Sequence, residues 1–265
     1  MTRAVKQHAA SLELRGVSKR FGGDGSGTPA IEAVGAVDLT ARPGEFVSLI
    51  GPSGCGKSTI FNIAAGIAQA TSGEVAIGGR VLADRLGASA YMPQHDALLA
   101  WRRVIDNVIL PLELHGVRRR QARERAGPLL ERFGLGEFSR AWPWQLSGGM
   151  RQRVALLRTV ISDPSLMLLD EPFGALDGIT RADLQQWLSQ VWASVGATVL
   201  LVTHDITEAV LLSDRVYVMT PRPGQIAAVI DIDLPRPRVL ALREEDAFTA
   251  LERRLRHELQ LAMTS

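Results

Sequence analysis

The stretch Gly51-Pro52-Ser53-Gly54-Cys55-Gly56-Lys57-Ser58-Thr59 decides how the rest of the chain is read. It fits the phosphate-loop pattern of a glycine, four residues, then Gly-Lys-Ser/Thr. Phe46-Val47-Ser48-Leu49-Ile50 before it reads as a buried strand, and Ile60, Ile63, Ala64 and Ile67 after it recur at helical spacing. Glycines let successive backbone N–H groups turn inward on an anion, and the N-terminus of the following helix adds its dipole at the same point. Lys57 is expected to reach the β- and γ-phosphates of a nucleotide. The Ser58 hydroxyl is the expected magnesium ligand, and Thr59 donates to a phosphate oxygen from the first helical turn. A plain glycine-rich turn is the alternative, against which the lysine and the flanking elements argue. Cys55, inside the loop, is either a small inert filler or a thiol whose alkylation blocks nucleotide binding.

Around this motif the composition is that of an ordinary soluble globular protein. The chain has 265 residues, 22% charged and 46% hydrophobic, enough for one large domain or a domain with an inserted subdomain. With 30 basic against 28 acidic residues, the charge balance argues for neither nucleic acid nor an anionic membrane as partner. A single cysteine excludes an internal disulfide and suits a reducing cytosol. Residues 1–7 lack the apolar core of a signal peptide, so no exported form is expected. The longest apolar runs, such as residues 198–202, are far short of the ~20 needed to span a bilayer, so any link to a membrane goes through a partner.

Along the chain, Leu12, Leu14 and Val17 alternate as in a half-buried strand, leading to Phe21 and a glycine-rich loop at 22–27 that is expected to be mobile. Residues 31–39 and 46–50 give two more strands around the turn Arg42-Pro43-Gly44, and 74–77 and 88–92 read as further strands, the last delivering Gln94 at its carboxyl end. The pattern then turns helical. Ile105, Val108, Ile109 and Leu112 form one stripe and Ala122, Ala126, Leu129, Leu130 and Phe133 another, which we read as a helical subdomain inserted in the sheet. Arg118, Arg119, Arg120, Arg123 and Arg125 read as a solvated helix face rather than a nucleic-acid patch, since no aromatic residue interleaves with them. A second glycine-rich loop, Ser147-Gly148-Gly149, opens a helix over 150–161 with Arg151, Arg153 and Arg158 facing outward. Short strands at 166–169 and 198–203 end in Asp170-Glu171 and His204-Asp205. A strand at 216–219, a Pro- and Arg-rich passage and a final amphipathic helix around Phe248, Leu251, Leu255 and Leu259 complete the reading.

An apolar strand ending in two acids is a frequent accident, but downstream of a phosphate loop it carries weight. Asp170 is placed to hold magnesium through its water shell, and Glu171 to polarise a water for in-line attack on the γ-phosphate. Gln94 and His204 sit at other strand ends, where Gln94 can bridge magnesium to the water and His204 can donate to a γ-phosphate oxygen, although either also suits a plain surface role. The loop Ser147-Gly148-Gly149 competes with the one before Lys57 for a single nucleotide. A second copy of the chain, placed head to tail by a two-fold axis, resolves this by closing each loop over the other subunit's ATP.

On these motifs the sequence resembles the ATPase subunit of an ATP-binding cassette (ABC) transporter over nearly its whole length. The resemblance rests on residues 51–59, on Gln94, on Leu146-Ser147-Gly148-Gly149-Met150-Arg151-Gln152-Arg153 as the family signature, on residues 166–171 and on the switch histidine His204. It implies an α/β phosphate-loop fold with a mixed sheet core, a small antiparallel β subdomain and an inserted helical subdomain. The expected division is a core of 1–94 and 163–220, a helical subdomain of 95–162 and a C-terminal extension of 221–265, all one ABC ATPase domain. It further implies ATP and Mg2+ as ligands, with Phe21 stacking on adenine and Ala175-Leu176-Asp177 as a dimer-contact loop. The implied partners are a second copy, two transmembrane permease subunits and, indirectly, a substrate-binding protein, with the chain peripheral on the cytoplasmic side of the cell membrane.

Within the family, residues 98–102 with Trp101, 171–177 and Pro221-Arg222-Pro223-Gly224 resemble the importers of nitrate, sulfonate, taurine and bicarbonate, in which the surface around Trp101 receives a helix of the permease. Trp142 and Trp144 read as packing. A cassette acting on DNA or ribosomes is the alternative function, but the chain has neither a long coiled coil between the nucleotide motifs nor a second phosphate loop. An exporter is a third reading.

Overall fold

The computed structural model describes residues 9–22 and 29–264; the expected mobile loop at 22–27 lies, apart from Gly22, outside them. Two sheets build the chain. The first is antiparallel, in the order β2 (Ile31–Ala41), β1 (Leu12–Phe21), β4 (Ser72–Ile77), β5 (Arg80–Val81). The second runs β10 (Ile226–Asp231), β9 (Arg215–Met219), β3 (Phe46–Ile50), β8 (Thr198–Val202), β7 (Leu166–Asp170), β6 (Ala90–Met92), parallel throughout except for β10. The expected mixed core sheet and small antiparallel sheet are both present. Strand β10 lies within the stretch assigned above to a C-terminal extension, yet it pairs with β9 and is part of the core sheet.

Strands β3, β7 and β8 are buried at every residue, which explains why they read as largely apolar runs: a parallel sheet is covered on both faces. Their two faces are nonetheless distinct, because side chains alternate with period 2. Phe46, Ile50, Met167, Leu169, Val199 and Leu201 face a core shared with the helices of the subdomain and the C-terminal half. Val47, Leu49, Leu166, Leu168, Leu200 and Val202 face the opposite core, with α1 (Lys57–Ala64) and the antiparallel sheet. By the same alternation Asp170 continues the face of Leu166 and Leu168, the one on which α1 and the phosphate loop lie.

The helices differ from the sequence reading in instructive places. Helix α1 stops at Ala64, followed by Gly66 at φ +82°, so Ile67 falls beyond it and is exposed. The stripe expected as one helix divides into α2 (Val104–Val108) and α3 (Leu110–Leu114), as Pro111 in the first turn of α3 has no N–H to continue α2. Helix α4 (Arg119–Arg132) packs on α2 through charge: the 94%-buried Asp106 takes Arg119 at 2.8 Å and Arg123 at 2.7 Å. The basic run is therefore a partnered helix face, with Arg120 also paired to Glu124 at 3.0 Å and Arg125 to Asp163 at 3.2 Å. Helix α5 (Gly148–Val160) begins at the second glycine-rich loop, capped by Ser147 Oγ, which accepts from Met150 N at 3.3 Å. Its arginines do not simply face outward. Arg151 pairs with Asp96 at 2.9 Å, Arg153 donates to the Phe133 carbonyl at 2.7 Å, and Arg158 to those of Asp96 and Ala97.

Among the named strands and α-helices, four went unread: β5, a two-residue strand, α6 (Gly178–Val195), α7 (Ile206–Leu212) and β10. The expected final helix is present as α8 (Asp246–Thr264). No described helix is long and apolar enough to cross a membrane.

Candidate nucleotide site

The phosphate loop leaves the central strand β3 and is gripped from two sides. On one side Gly56, at φ +104°, leaves no room for a side chain: a Cβ would lie 2.7 Å from Val34 Cγ2 and 2.8 Å from the Ala33 carbonyl of β2. On the other side Gly224 abuts the loop so closely that a Cβ there would meet the Cys55 carbonyl at 1.9 Å. Gly224 also bridges to Val34, and its carbonyl accepts from Gly35 N at 3.0 Å. The phosphate loop is thus clamped between the antiparallel sheet and the turn after β9. Lys57 arches over it, donating to the carbonyls of Gly51 at 2.8 Å and Pro52 at 2.9 Å, with its ammonium 3.7 Å from the buried Cys55 Sγ.

A cleft of about 500 Å3 opens over this loop, lined by Ser53, Gly54, Lys57, Ser58 and Thr59, by Phe21 and Ala33 from the antiparallel sheet, and by Gln94 and Glu171. Phe21 ends β1 half exposed, with Lys19 Nζ 5.1 Å from its ring centroid. Asp170 is fully buried at the end of β7, and its Oδ1 finds no hydrogen-bond partner. Burial pushes its carboxyl above the usual range, the neighbouring Glu171 adds to this, and the Ser58 hydroxyl and Lys57 ammonium counter it. A buried carboxylate oxygen without a donor, beside a serine hydroxyl at a phosphate loop, is a donor set suited to a hard divalent cation.

Glu171 holds a left-handed backbone at φ +49°. Its amide donates to the Val202 carbonyl at 2.9 Å, and its own carbonyl accepts from Gln152 Nε2 at 2.8 Å. The carboxylate then reaches two of the other expected residues: Gln94 Nε2 donates to Oε2 at 3.2 Å, and His204 Nδ1 lies 3.4 Å from Oε1. Three strand ends far apart in sequence, those of β6, β7 and β8, are brought to one carboxylate, as ligand sites at the carboxyl edge of open α/β sheets require.

The second glycine-rich loop is not part of this cleft. Ser147 and Gly148 are exposed at the start of α5, and Gly149 lies against residues 175–177, where its Cβ would be 3.2 Å from Leu176 Cδ2. Within that latter loop Ala175 and Asp177 are exposed while Leu176 is buried, and Asp177 caps α6 by accepting from Thr180 N at 3.0 Å. Trp142 and Trp144 stack in parallel with centroids 5.1 Å apart, and Arg103 lies 4.7 Å over Trp142. Trp144 and Trp101 remain exposed.

Two residues of the site escaped the sequence reading. Arg222 lines the cleft and donates to the Gly54 carbonyl at 3.3 Å; its signal was an arginine between turn-forming prolines that return the chain to the phosphate loop. Gln152 was quoted with the signature but given no task.

The fold and the cleft define a phosphate-loop nucleotide triphosphatase. Residues 34–174 match the family described as ABC transporter. The chain belongs to the ABC transporter family, as an ATP-hydrolysing cassette. It is 45% identical over 227 residues to an aliphatic sulfonates import ATP-binding protein, SsuB 2, of Pseudomonas aeruginosa, covering 86% of this chain and 77% of the relative. It is 42% identical over 206 residues to the taurine import ATP-binding protein TauB of Rhizobium johnstonii, covering 78% and 79%. Among solved structures, a dimeric ATP-binding cassette in a post-hydrolysis state, bound to ADP and Pi, superposes with a TM-score of 0.76 at 31% identity, covering 84% of this chain and all of the other.

Proposed function

We propose that the chain is the ATPase of an importer for a small solute such as a sulfonate, taurine or nitrate, working as a head-to-tail homodimer on the cytoplasmic face of a separate permease fed by a substrate-binding protein. The observation that carries the ATPase chemistry is the meeting of Gln94, Glu171 and His204 at the mouth of the phosphate loop; the solute class rests on the relatives named above.

In this reading Phe21 stacks on the adenine, and the backbone N–H groups of residues 53–57 with Lys57 and Thr59 hold the phosphates, so the γ-phosphorus faces Glu171. Glu171 accepts a hydrogen bond from a water and draws it in line. As that oxygen bonds to the γ-phosphorus its proton passes to the Glu171 carboxylate, and the bond to the β-γ bridging oxygen breaks with its electron pair leaving on ADP. Gln94 and His204, both already on the Glu171 carboxylate, fix its direction, and His204 donates to a γ-phosphate oxygen as charge develops. Ser58, Asp170 and Gln94 would hold magnesium, which would supply charge neutralisation to the phosphates. Ser147, Gly148 and Gly149 of one subunit close on the other subunit's ATP, with residues 175–177 at the seam, so hydrolysis releases the interface and the motion passes to the permease through the surface around Trp101.

The test is Glu171→Gln. Its hydrolysis is expected to fall at least about 100-fold, the scale of a lost general base, while ATP binding persists and a dimer accumulates. Tagged Glu171→Gln, purified with ATP from gently solubilised membranes, should bring down a multi-span protein, whose cognate binding protein is then assayed against sulfonates, taurine and nitrate. Normal turnover by this variant would remove Glu171 from its role, and recovery of ribosomes or DNA-associated proteins alone would displace the importer reading.

A further inference from the structure

Helix α5 opens with the loop that, in the reading above, serves the partner's nucleotide, yet one of its side chains holds the backbone of this chain's own Glu171. Gln152, on the second turn, is 7% exposed and uses both ends of its amide. Nε2 donates to the Glu171 carbonyl at 2.8 Å and Oε1 accepts from Ala175 N at 3.1 Å. No other side chain among the described residues hydrogen-bonds the backbone of Glu171; its amide donates to Val202 at 2.9 Å and its carbonyl also accepts, at the longer distance of 3.2 Å, from the Gly174 amide.

The need for such a tether is local. Glu171 is one of few non-glycine residues here with positive φ, a conformation that persists only where surrounding contacts over-determine it. Loss of the Gln152 bond would leave the carbonyl only the longer bond from Gly174 N, a weaker hold on the residue whose carboxylate meets Gln94 and His204. The second bond fixes the start of residues 175–177 to the same amide. On its other face α5 holds the segment that follows Gln94, through Arg151 to Asp96 at 2.9 Å and Arg158 to the Ala97 carbonyl at 2.8 Å. The helix therefore touches the supports of both Gln94 and Glu171.

We propose that Gln152 is a positioning residue for hydrolysis: it fixes Glu171 through its backbone carbonyl and ties it to the dimer-contact loop, so that the signature helix and the water-polarising carboxylate of the same chain move as one piece. The inference rests on the ATPase reading, and hydrolysis by the wild-type chain, measured in parallel, tests that reading on its own.

In the experiment, Gln152→Leu keeps the approximate volume and removes both hydrogen bonds. We expect kcat to fall about 10- to 100-fold, as for a misplaced catalytic group, with half-saturating ATP unchanged within about twofold. Mixed dimers place the defect. With Gln152→Leu on one chain and Glu171→Gln on the other, the only competent carboxylate lies beside the altered residue and activity is lost. With both changes on one chain, activity equals that of a wild-type chain paired with Glu171→Gln. Should Gln152→Leu fail to fold, Gln152→Glu carries the same tests, as it retains the acceptor for Ala175 N and, ionised, lacks the donor to Glu171. Unchanged kcat overturns the proposal. So does loss of ATP binding in step with kcat, or equal loss in both mixed dimers, either of which assigns Gln152 a merely structural role.

Discussion

Two residues near the site test how finely it is set. Glu208 is buried in α7, accepting from Thr203 Oγ1, next in sequence to His204, at 2.6 Å and from Gln185 Nε2 at 2.9 Å. Burial raises its pKa above the ordinary 4.5 despite those hydrogen bonds, with Asp205 adding to the rise. A carboxyl with a raised folded pKa favours the folded state fully below its unfolded value and loses that contribution as pH rises through the folded one. Glu208→Gln, which keeps the shape without the charge, is therefore expected to unfold at or above the wild-type temperature at pH 8, with the difference vanishing or reversing near pH 4. Thermal melts across that range decide it. At Gly224 the issue is space. Gly224→Ala forces a methyl onto the Cys55 carbonyl, so the phosphate loop must shift; nucleotide affinity is expected to drop at least about tenfold, a loss of about 1.4 kcal/mol, measured by titration with a fluorescent ATP analogue.

At the scale of elements, the link between α2 and α4 is electrostatic as much as apolar. Burial alone would raise the Asp106 carboxyl, but the hydrogen bonds and charges of Arg123 and Arg119 outweigh it and hold the pKa below the usual range. Both arginines are about half exposed, so solvent screens part of the gain. Asp106→Ala is expected to cost about 1–2 kcal/mol, between an exposed and a buried pair, with a wild-type advantage that shrinks as pH falls through the carboxylate range. Denaturant melts at pH 7 and pH 3.5 measure both.

Legibility also belongs to this scale. The strands β3, β7 and β8 and the loops they carry were readable because burial on both faces leaves a largely apolar run ending abruptly in polar chemistry. Helix α6 had its signal, Leu184, Leu188 and Trp192 at i, i+4, i+8 behind an Asp177 cap, but the glutamines and serine between them masked the stripe. Strand β10 is an edge strand whose burial alternates, but its exposed positions Ala227 and Val229 are as apolar as its inward ones, so the alternation does not show in the sequence. Helix α7 is barely two turns long. The contacts of Gln152 and Arg222 were beyond the sequence because both bridge segments that only the fold brings together.

For the whole molecule, the prediction concerns which subunit completes which site. Ser147→Arg and Glu171→Gln homodimers are each expected to be inactive. If the signature acts across the two-fold axis, a mixed dimer of the two places both lesions in one site and leaves the other intact, restoring about half of wild-type turnover, as two equivalent sites in a symmetric dimer require. If it acts within the chain, the mixed dimer stays dead. Steady-state ATPase of purified mixed dimers separates the two.

Strand β3 and its loop are complete by residue 59, yet the strands flanking β3, β8 and β9, lie at residues 198–202 and 215–219. The clamp on Cys55 waits for Gly224. During synthesis the growing chain therefore displays its nucleotide motif long before it can form the pocket, and β3 stays an unpaired apolar segment until most of the protein has been made. Pairings so distant in sequence are slow to form and expose such segments to aggregation. ATP can reward folding only at the end, as a seal on a finished chain rather than a template for a beginning one.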